Sequence, residues 1–341
     1  MSGLHEFDYE LPERAIAQTP CEPRDAARLL DALSGHDPIH RTVSDLPALV
    51  HPGDIIVVND TRVIPARLLL RKPTGGAAEV MLLDPVEGHD ADRWRALVRP
   101  SRRIKPGSVL IDDAGQPVVE VGEDLGDGVR LVWPATTASM LDVAHRVGAL
   151  PLPPYITSGY DNPDRYQTVY ARNERSVAAP TAGLHLTPGL MDQCRDRGAQ
   201  IHTVELAVGL GTFRPILADN VNDHTMHAEQ FLVSNETLDA CAQAERVIAI
   251  GTTSVRALES AATMEVNEGA TELFISPGYD FEVVDVLFTN FHQPKSSLLV
   301  MLSAFAGERW RDLYAEALAA DYRFLSFGDA MIVDRMSRTG H

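Results

Sequence analysis

The runs ARLLLRK (66–72), AEVMLLDPV (78–86), RWRALVRP (93–100), SVLIDD (108–113), PVVEVGE (117–123) and VRLVWP (129–134) follow one another in the first half of the chain. Each is short and rich in Val, Leu or Ile, and Gly, Asp or Pro stands near its ends. Short β-type runs at this spacing predict a small barrel or sandwich. Residues 139–147 then have helical spacing. Pro151, Leu152, Pro153 and Pro154 follow as a stiff extended connector.

Outside this block the pattern becomes alternating. VIAI (247–250) is an apolar strand, GTTS (251–254) a turn, and VRALESAATM (255–264) a helical run. Val177–Ala179, as a short strand, leads into PTAGLH (180–185), and a helix then starts with Thr187 as N-cap and Pro188 at its first position and ends at Gly198. VVDVLFT (283–289) runs into Asn290-Phe291-His292, with a helix from about Ser296 or Ser297. LLVMLSAF (298–305) is too short to span a bilayer, which needs roughly 20 residues, and reads as a buried helix. The fold class expected is therefore α/β, with a main α/β domain (1–63 and 155–341) and an inserted small all-β, barrel-like domain (64–154). In open α/β sheets ligands bind beyond the carboxyl ends of the strands, so the three polar turns are where a site is expected.

Composition narrows the class. Of 341 residues, 45% are hydrophobic and 23% charged, so a sizeable core can form without staples. The three cysteines, Cys21, Cys194 and Cys241, lie far apart without a CxxC pair, which argues against a disulfide framework and a structural zinc site and for a cytoplasmic protein. The first residues, MSGLHEFDYELPE, do not read as an export signal, and no membrane association is expected.

The net charge of −18 argues against nucleic-acid binding as a whole-chain property. Its distribution differs locally. Residues 62–105 hold ten bases and five acids, and residues 93–105 hold Arg93, Arg95, Arg99, Arg102, Arg103 and Lys105 with no acid. Such a stretch is either a charged strand edge or a phosphate-binding patch.

Several segments carry chemistry. Gly251, Thr252, Thr253, Ser254 and Arg256 open a helix, where free N–H groups favour an anion or carboxylate; an ordinary capped helix start is the alternative. The Gly-Lys-Ser/Thr ending of a P-loop is missing. Gly209, Gly211 and Thr212 follow a strand in LAVGLGTF, but Arg214-Pro215 stands where a dinucleotide fingerprint needs a third glycine, so a nicotinamide oxidoreductase is poorly supported. Asn59, Asp60 and Arg62 end the strand DIIVVNDTR as a binding turn or a local Asx turn. His185, His227 and His292 lie in separate polar segments and, with Glu229, are candidates for general acid–base work. Neither HExxH nor GxSxG is present, so zinc hydrolase and nucleophilic hydrolase chemistry are not suggested.

In order, FDYELPERAIAQTP, GDIIVVNDTRVIPARL, LPLPPYI, YQTVYA, VAAPTAGLHLT, VGLGTFRPI, MHAE, IAIGTTSVRALES, ISPGYDFEVVDVLFTNFHQP, LVMLSAFAG and YRFLSFGDAMIV closely resemble the S-adenosylmethionine:tRNA ribosyltransferase-isomerase family of queuosine biosynthesis. The resemblance runs from near Phe7 to near Val333. It implies an α/β domain with an inserted β-barrel and transfer of the ribosyl group of S-adenosylmethionine to 7-aminomethyl-7-deazaguanine at the tRNA wobble position. Epoxyqueuosine in tRNA, adenine and methionine are the products. It implies S-adenosylmethionine as co-substrate, no metal or other cofactor, and a monomer. The residues expected to bind substrate are Asn59, Asp60, Arg62, Thr181, Gly183, Gly209, Gly211, Thr212, Thr252, Thr253, Ser254, Arg256 and Asn290. His185, His227, Glu229 and His292 are expected to move protons, and Arg93, Arg95, Arg99, Arg102, Arg103 and Lys105 to meet tRNA phosphates. The sequence departs from the family pattern at Ala207 (usually His), Glu205 (usually Thr), Ala77 (often basic) and Gln293 (usually Leu). Two competing readings are a paralogue with another acceptor, signalled by Ala207 and Glu205, and a non-catalytic tRNA-binding protein.

Overall fold

A computed structural model describes residues 3–33, 37–86, 92–158, 162–209, 216, 221, 224, 226 and 228–336. Two compact units emerge, one of residues 1–61, 153–173 and 179–341 and one of residues 62–152 and 174–178.

The first unit is built on a nine-stranded sheet. From edge to edge the strands are Glu268–Thr271, Glu229–Val233, Gln200–Leu206, Asp54–Asn59, Arg246–Ile250, Val286–Asn290, Ala330–Asp334, Arg28–Ala32 and Ile39–Thr42. The four from Gln200–Leu206 to Val286–Asn290 are mutually parallel. Parallel strands are apolar throughout because both faces are covered. Accordingly Ile56, Val58, Ile248, Ile250, Val286 and Phe288 pack with Leu46, Leu190, Met191 and Cys194 in one core, while the alternate residues Ile55, Val57, Val247, Ala249 and Leu287 are also buried.

The helices start where the sequence places caps. Thr187 Oγ1 accepts the Leu190 N–H ahead of Pro188–Asp196, and Ser296 Oγ accepts that of Leu299 ahead of Ser297–Ala306. The latter contains the apolar run 298–305 and is largely buried. Two local expectations fail. The strand expected from Val283 starts at Val286, because the Glu259 carboxylate takes the N–H groups of Glu282, Val283 and Val284 and removes them from the ladder. Val177–Ala179 is not a strand either. Ser176 Oγ donates to Ala178 O and accepts the Ala178 N–H, so a local side-chain turn replaces sheet pairing.

The second unit is a closed antiparallel barrel. Arg67–Arg71, Ala77–Pro85, Trp94–Arg99, Val129–Pro134, Pro117–Gly126 and Ser108–Ile111 pair in that order, and the Arg71–Ile111 pairing closes the ring. Side chains alternate as a barrel requires: Leu68, Leu70, Val80, Leu82, Ala96 and Val98 are buried while Arg67, Leu69, Arg71, Arg95 and Arg99 face out. Closure removes exposed strand edges. The Met140–Val147 helix follows, capped by Ser139. Among the described residues, no helix is long and apolar enough to cross a membrane.

Candidate active site

The parallel strands Arg246–Ile250 and Val286–Asn290 deliver the site. At the end of the first, Gly251 adopts φ +86°, a left-handed conformation open to glycine, and the Thr252–Met264 helix begins at once. At the end of the second come Thr289, Asn290 and then His292. The 3-10 turn Thr181–His185 and the segments around Tyr155 and Ser326 complete a cavity within the first unit. Its position agrees with the rule for open α/β sheets.

One wall is electropositive. Of the helix start, Gly251, Thr252 and Thr253 line the cavity. The Ser254 and Val255 N–H groups already bond to Gly251 O, whereas those of Thr252 and Thr253 have no backbone partner among the described residues. Thr253 Oγ1 is likewise buried without a partner. Together with the helix dipole these groups suit a carboxylate or another anionic group. Ser254 does not contribute, since its hydroxyl donates to Ile250 O at 2.9 Å. Arg256 is buried away from the lining: Nε donates to Leu273 O, and Nη1 pairs with Glu229 Oε2.

Thr181, Asn290 and His292 also line the cavity. Thr181 Oγ1 donates to Asn290 Oδ1 at 3.0 Å, and Asn290 Nδ2 lies 3.1 Å from His185 Nε2. His292 Nε2 lies 3.1 Å from Thr289 Oγ1. Burial lowers the His292 pKa to about 3. The His185 pKa is also lowered to about 3, by burial and then by the guanidinium groups of Arg165 and Arg323. Both imidazoles are therefore neutral near pH 7. Tyr155 and Ser326 share a 2.6 Å hydroxyl contact on the cavity wall, and burial pushes the Tyr155 phenol up to about 12.

The four residues expected to transfer protons do not form one described cluster. His292 lines the cavity. His185 sits behind Asn290. Glu229 is held by Arg256 and accepts the Gly209 N–H at 2.9 Å through Oε1. His227, with Gly211 and Thr212, lies outside the described residues. Asn59 links two strand ends: its Oδ1 accepts the Thr61 and Leu206 N–H groups and its Nδ2 donates to Leu206 O. Asp60 is buried, with a pKa raised by burial and then by Glu205. Gly183 is required by packing, because a Cβ there would lie 2.0 Å from the Tyr170 hydroxyl. Arg62 belongs to the second unit, where it lies 3.7 Å from Glu174.

The basic stretch divides on the barrel. Arg95 is bound to Asp84, and the Arg93 guanidinium lies over the Trp133 ring. Arg99, Arg102, Arg103 and Lys105 are exposed and have no ion pair among the described residues. The cavity also recruits Tyr155, Leu298 and Ser326, which the sequence did not mark as site residues, and Gln293, which it marked only as a departure from the family pattern. Tyr155 follows the Pro-rich connector and Ser326 lies in the YRFLSFGDAM motif, so only their place in motifs marked them.

The sequence matches the family described as "Queuosine biosynthesis protein" over residues 4–333. This chain belongs to that family. It is 47% identical to the S-adenosylmethionine:tRNA ribosyltransferase-isomerase of Moorella thermoacetica over 97% of this chain and 99% of that protein. The enzyme of the same name from Rubrobacter xylanophilus is also 47% identical, with 96% of each chain covered. The crystal structure of the S-adenosylmethionine tRNA ribosyltransferase of Thermotoga maritima is similar, with a TM-score of 0.54, 34% identity, and 96% of this chain and 99% of that one covered. The mixed α/β architecture with a barrel is thus shared with a solved family member.

Proposed function

We propose that this queuosine-family enzyme transfers and isomerises the ribosyl group of S-adenosylmethionine onto 7-aminomethyl-7-deazaguanine at the tRNA wobble position. Epoxyqueuosine-tRNA, adenine and methionine are the products. The observation that carries this reading is family membership along nearly the whole chain, at 47% identity to enzymes so named. The cavity lies at the ends of the parallel strands, where open α/β sheets bind small ligands.

In this reading the sulfonium acidifies the ribose 5′ carbon, a base removes that proton, and adenine leaves as the sugar opens. The amine of the tRNA base attacks the resulting vinyl sulfonium, and closure to the epoxide expels methionine. The unpaired Thr252 and Thr253 N–H groups take the methionine carboxylate. Of the proton-transfer candidates, His292 lines the cavity and presents a neutral imidazole to the substrate. Arg99, Arg102, Arg103 and Lys105 meet tRNA phosphates on the barrel. The enzyme acts in the cytoplasm as a monomer, without a metal.

The direct test incubates the protein with S-adenosylmethionine and wobble-modified tRNA. Free adenine with a ribosyl-derived mass gain on the nucleoside is expected, and would show that Ala207 and Glu205 are tolerated. Adenine without the mass gain would point to another acceptor. No adenine would overturn the reading.

A further inference from the structure

The hydrogen bonds behind the cavity wall have a fixed direction, and they end at Thr181. Asn290 Nδ2 lies 3.3 Å from the backbone carbonyl of Asp329 and 3.1 Å from His185 Nε2. A carbonyl oxygen only accepts, so the amide must turn its NH2 group toward Asp329. The second amide proton then points at His185 Nε2, which has to accept it. His185 is able to accept because burial keeps it neutral, so Nε2 can carry the lone pair that Asn290 Nδ2 faces. With both Nδ2 protons committed, Asn290 Oδ1 faces Thr181.

Thr181 Oγ1 and Asn290 Oδ1 are 3.0 Å apart. Oδ1 carries no proton, so the threonine hydroxyl must give its own. A hydroxyl has one proton and two lone pairs. Thr181 lines the cavity, and what it retains for an occupant is lone pairs alone.

We infer that Thr181 is an obligate hydrogen-bond acceptor in the cavity, oriented by Asn290 and His185, and that it selects an N–H group of the sulfonium substrate. His185 and Asn290 are positioning residues here. The inference rests on the reading of the cavity as the S-adenosylmethionine site. That substrate offers two such groups, the α-ammonium of its methionine portion and the exocyclic amine of its adenine. Ala182 Cβ, next in sequence to Thr181, would lie 3.4 Å from a Cβ built on Gly251, so the turn that carries Thr181 packs against the helix start. An α-amino acid head group likewise carries its ammonium next to its carboxylate.

The test uses the full chain with saturating wobble-modified tRNA, and follows release of the purine base from three donors. These are S-adenosylmethionine, its analogue lacking the α-amino group, and its analogue with hypoxanthine in place of adenine. In the wild type, KM for one analogue should exceed that for S-adenosylmethionine about ten- to a hundredfold, the range for a hydrogen bond to a charged or strongly polar group. Thr181→Val should bring that ratio close to one, Thr181→Ser should keep it, and Asn290→Ala, which frees the Thr181 proton, should shrink it. Collapse of the ratio for the des-amino analogue assigns the α-ammonium, and collapse for the hypoxanthine analogue assigns the adenine amine. If Thr181→Val changes all three KM values by one common factor, or none, the inference is overturned while the cavity assignment stands. If the wild type releases no base from any donor, the cavity assignment falls and the inference with it.

Discussion

Glu229 and Arg256 form an ion pair with both side chains buried, joining the strand Glu229–Val233 to the helix that starts at the cavity. The other Glu229 oxygen takes the Gly209 N–H. The carboxylate thus ties a helix, a strand and the loop after Leu206 together. Removing one partner of a buried pair leaves the other charge uncompensated, which costs about 3–5 kcal/mol. Glu229→Gln should lower unfolding stability by that order in urea titration. Glu229→Gln with Arg256→Met should cost less than the two single changes added together. Additive losses would mean that the two residues act independently.

Glu259 has a related task inside the same helix. Its carboxylate accepts the N–H groups of Glu282, Val283 and Val284 at 2.9, 3.1 and 3.0 Å, and the Tyr279 hydroxyl at 3.3 Å. These bonds hold the segment that feeds the strand Val286–Asn290 and, at its end, Asn290. Burial nevertheless raises the Glu259 pKa. Glu259→Ala should destabilise the protein by about 2–4 kcal/mol, as several buried N–H groups lose their acceptor. It should also raise KM for S-adenosylmethionine. A loss below about 1 kcal/mol with unchanged KM would show that the segment holds itself.

The particular elements explain what the sequence made legible. The barrel was readable because period-two alternation in runs such as RLLLR needs no long-range knowledge: Leu68 and Leu70 go in, and Arg67, Leu69 and Arg71 go out. The helix starts at Thr187 and Ser296 were readable for the same local reason. The strand start at Val286 was not, because it is set by Glu259, more than twenty residues earlier in the chain. The site divides the same way. Gly251 and its threonines follow a strand and line the cavity, but Arg256, one helical turn on, is rotated into the interior toward Glu229. Asn59 looked like a ligand and is a buried bracket between strand ends. Only tertiary packing distinguishes these cases. Motif resemblance brought the family, whereas composition alone opposed any contact with RNA.

The two buried histidines make stability depend on pH in a stated direction. His185 and His292 have pKa values lowered from 6.5 to about 3 in the folded chain. Between those values the unfolded chain binds more protons than the folded one, so stability rises with pH across that window and is lost as pH falls. Each histidine adds up to about 1.4 kcal/mol per pH unit to the slope. Urea unfolding at pH 7 and pH 5 should show a marked loss at the lower value, and His292→Asn should reduce the slope by about one proton. An unchanged slope in that variant would mean that the imidazole titrates alike in both states.

Arg102 and Arg103 sit together in the 3-10 turn Ser101–Arg103, exposed and without an ion pair among the described residues, whereas Arg95 is already neutralised by Asp84. A phosphate contact releases counterions, so affinity falls with salt in proportion to the number of contacts. Replacing Arg102 and Arg103 by Ala should weaken tRNA binding and lower the magnitude of the log Kd against log salt slope by about one per lost contact. The Arg95→Ala change, by contrast, should leave the slope nearly as it was, because its partner Asp84 already occupies it. KM for S-adenosylmethionine at saturating tRNA should stay constant in the Arg102 and Arg103 variant. Equal slopes for the wild type and that variant would remove this turn from the tRNA-binding face.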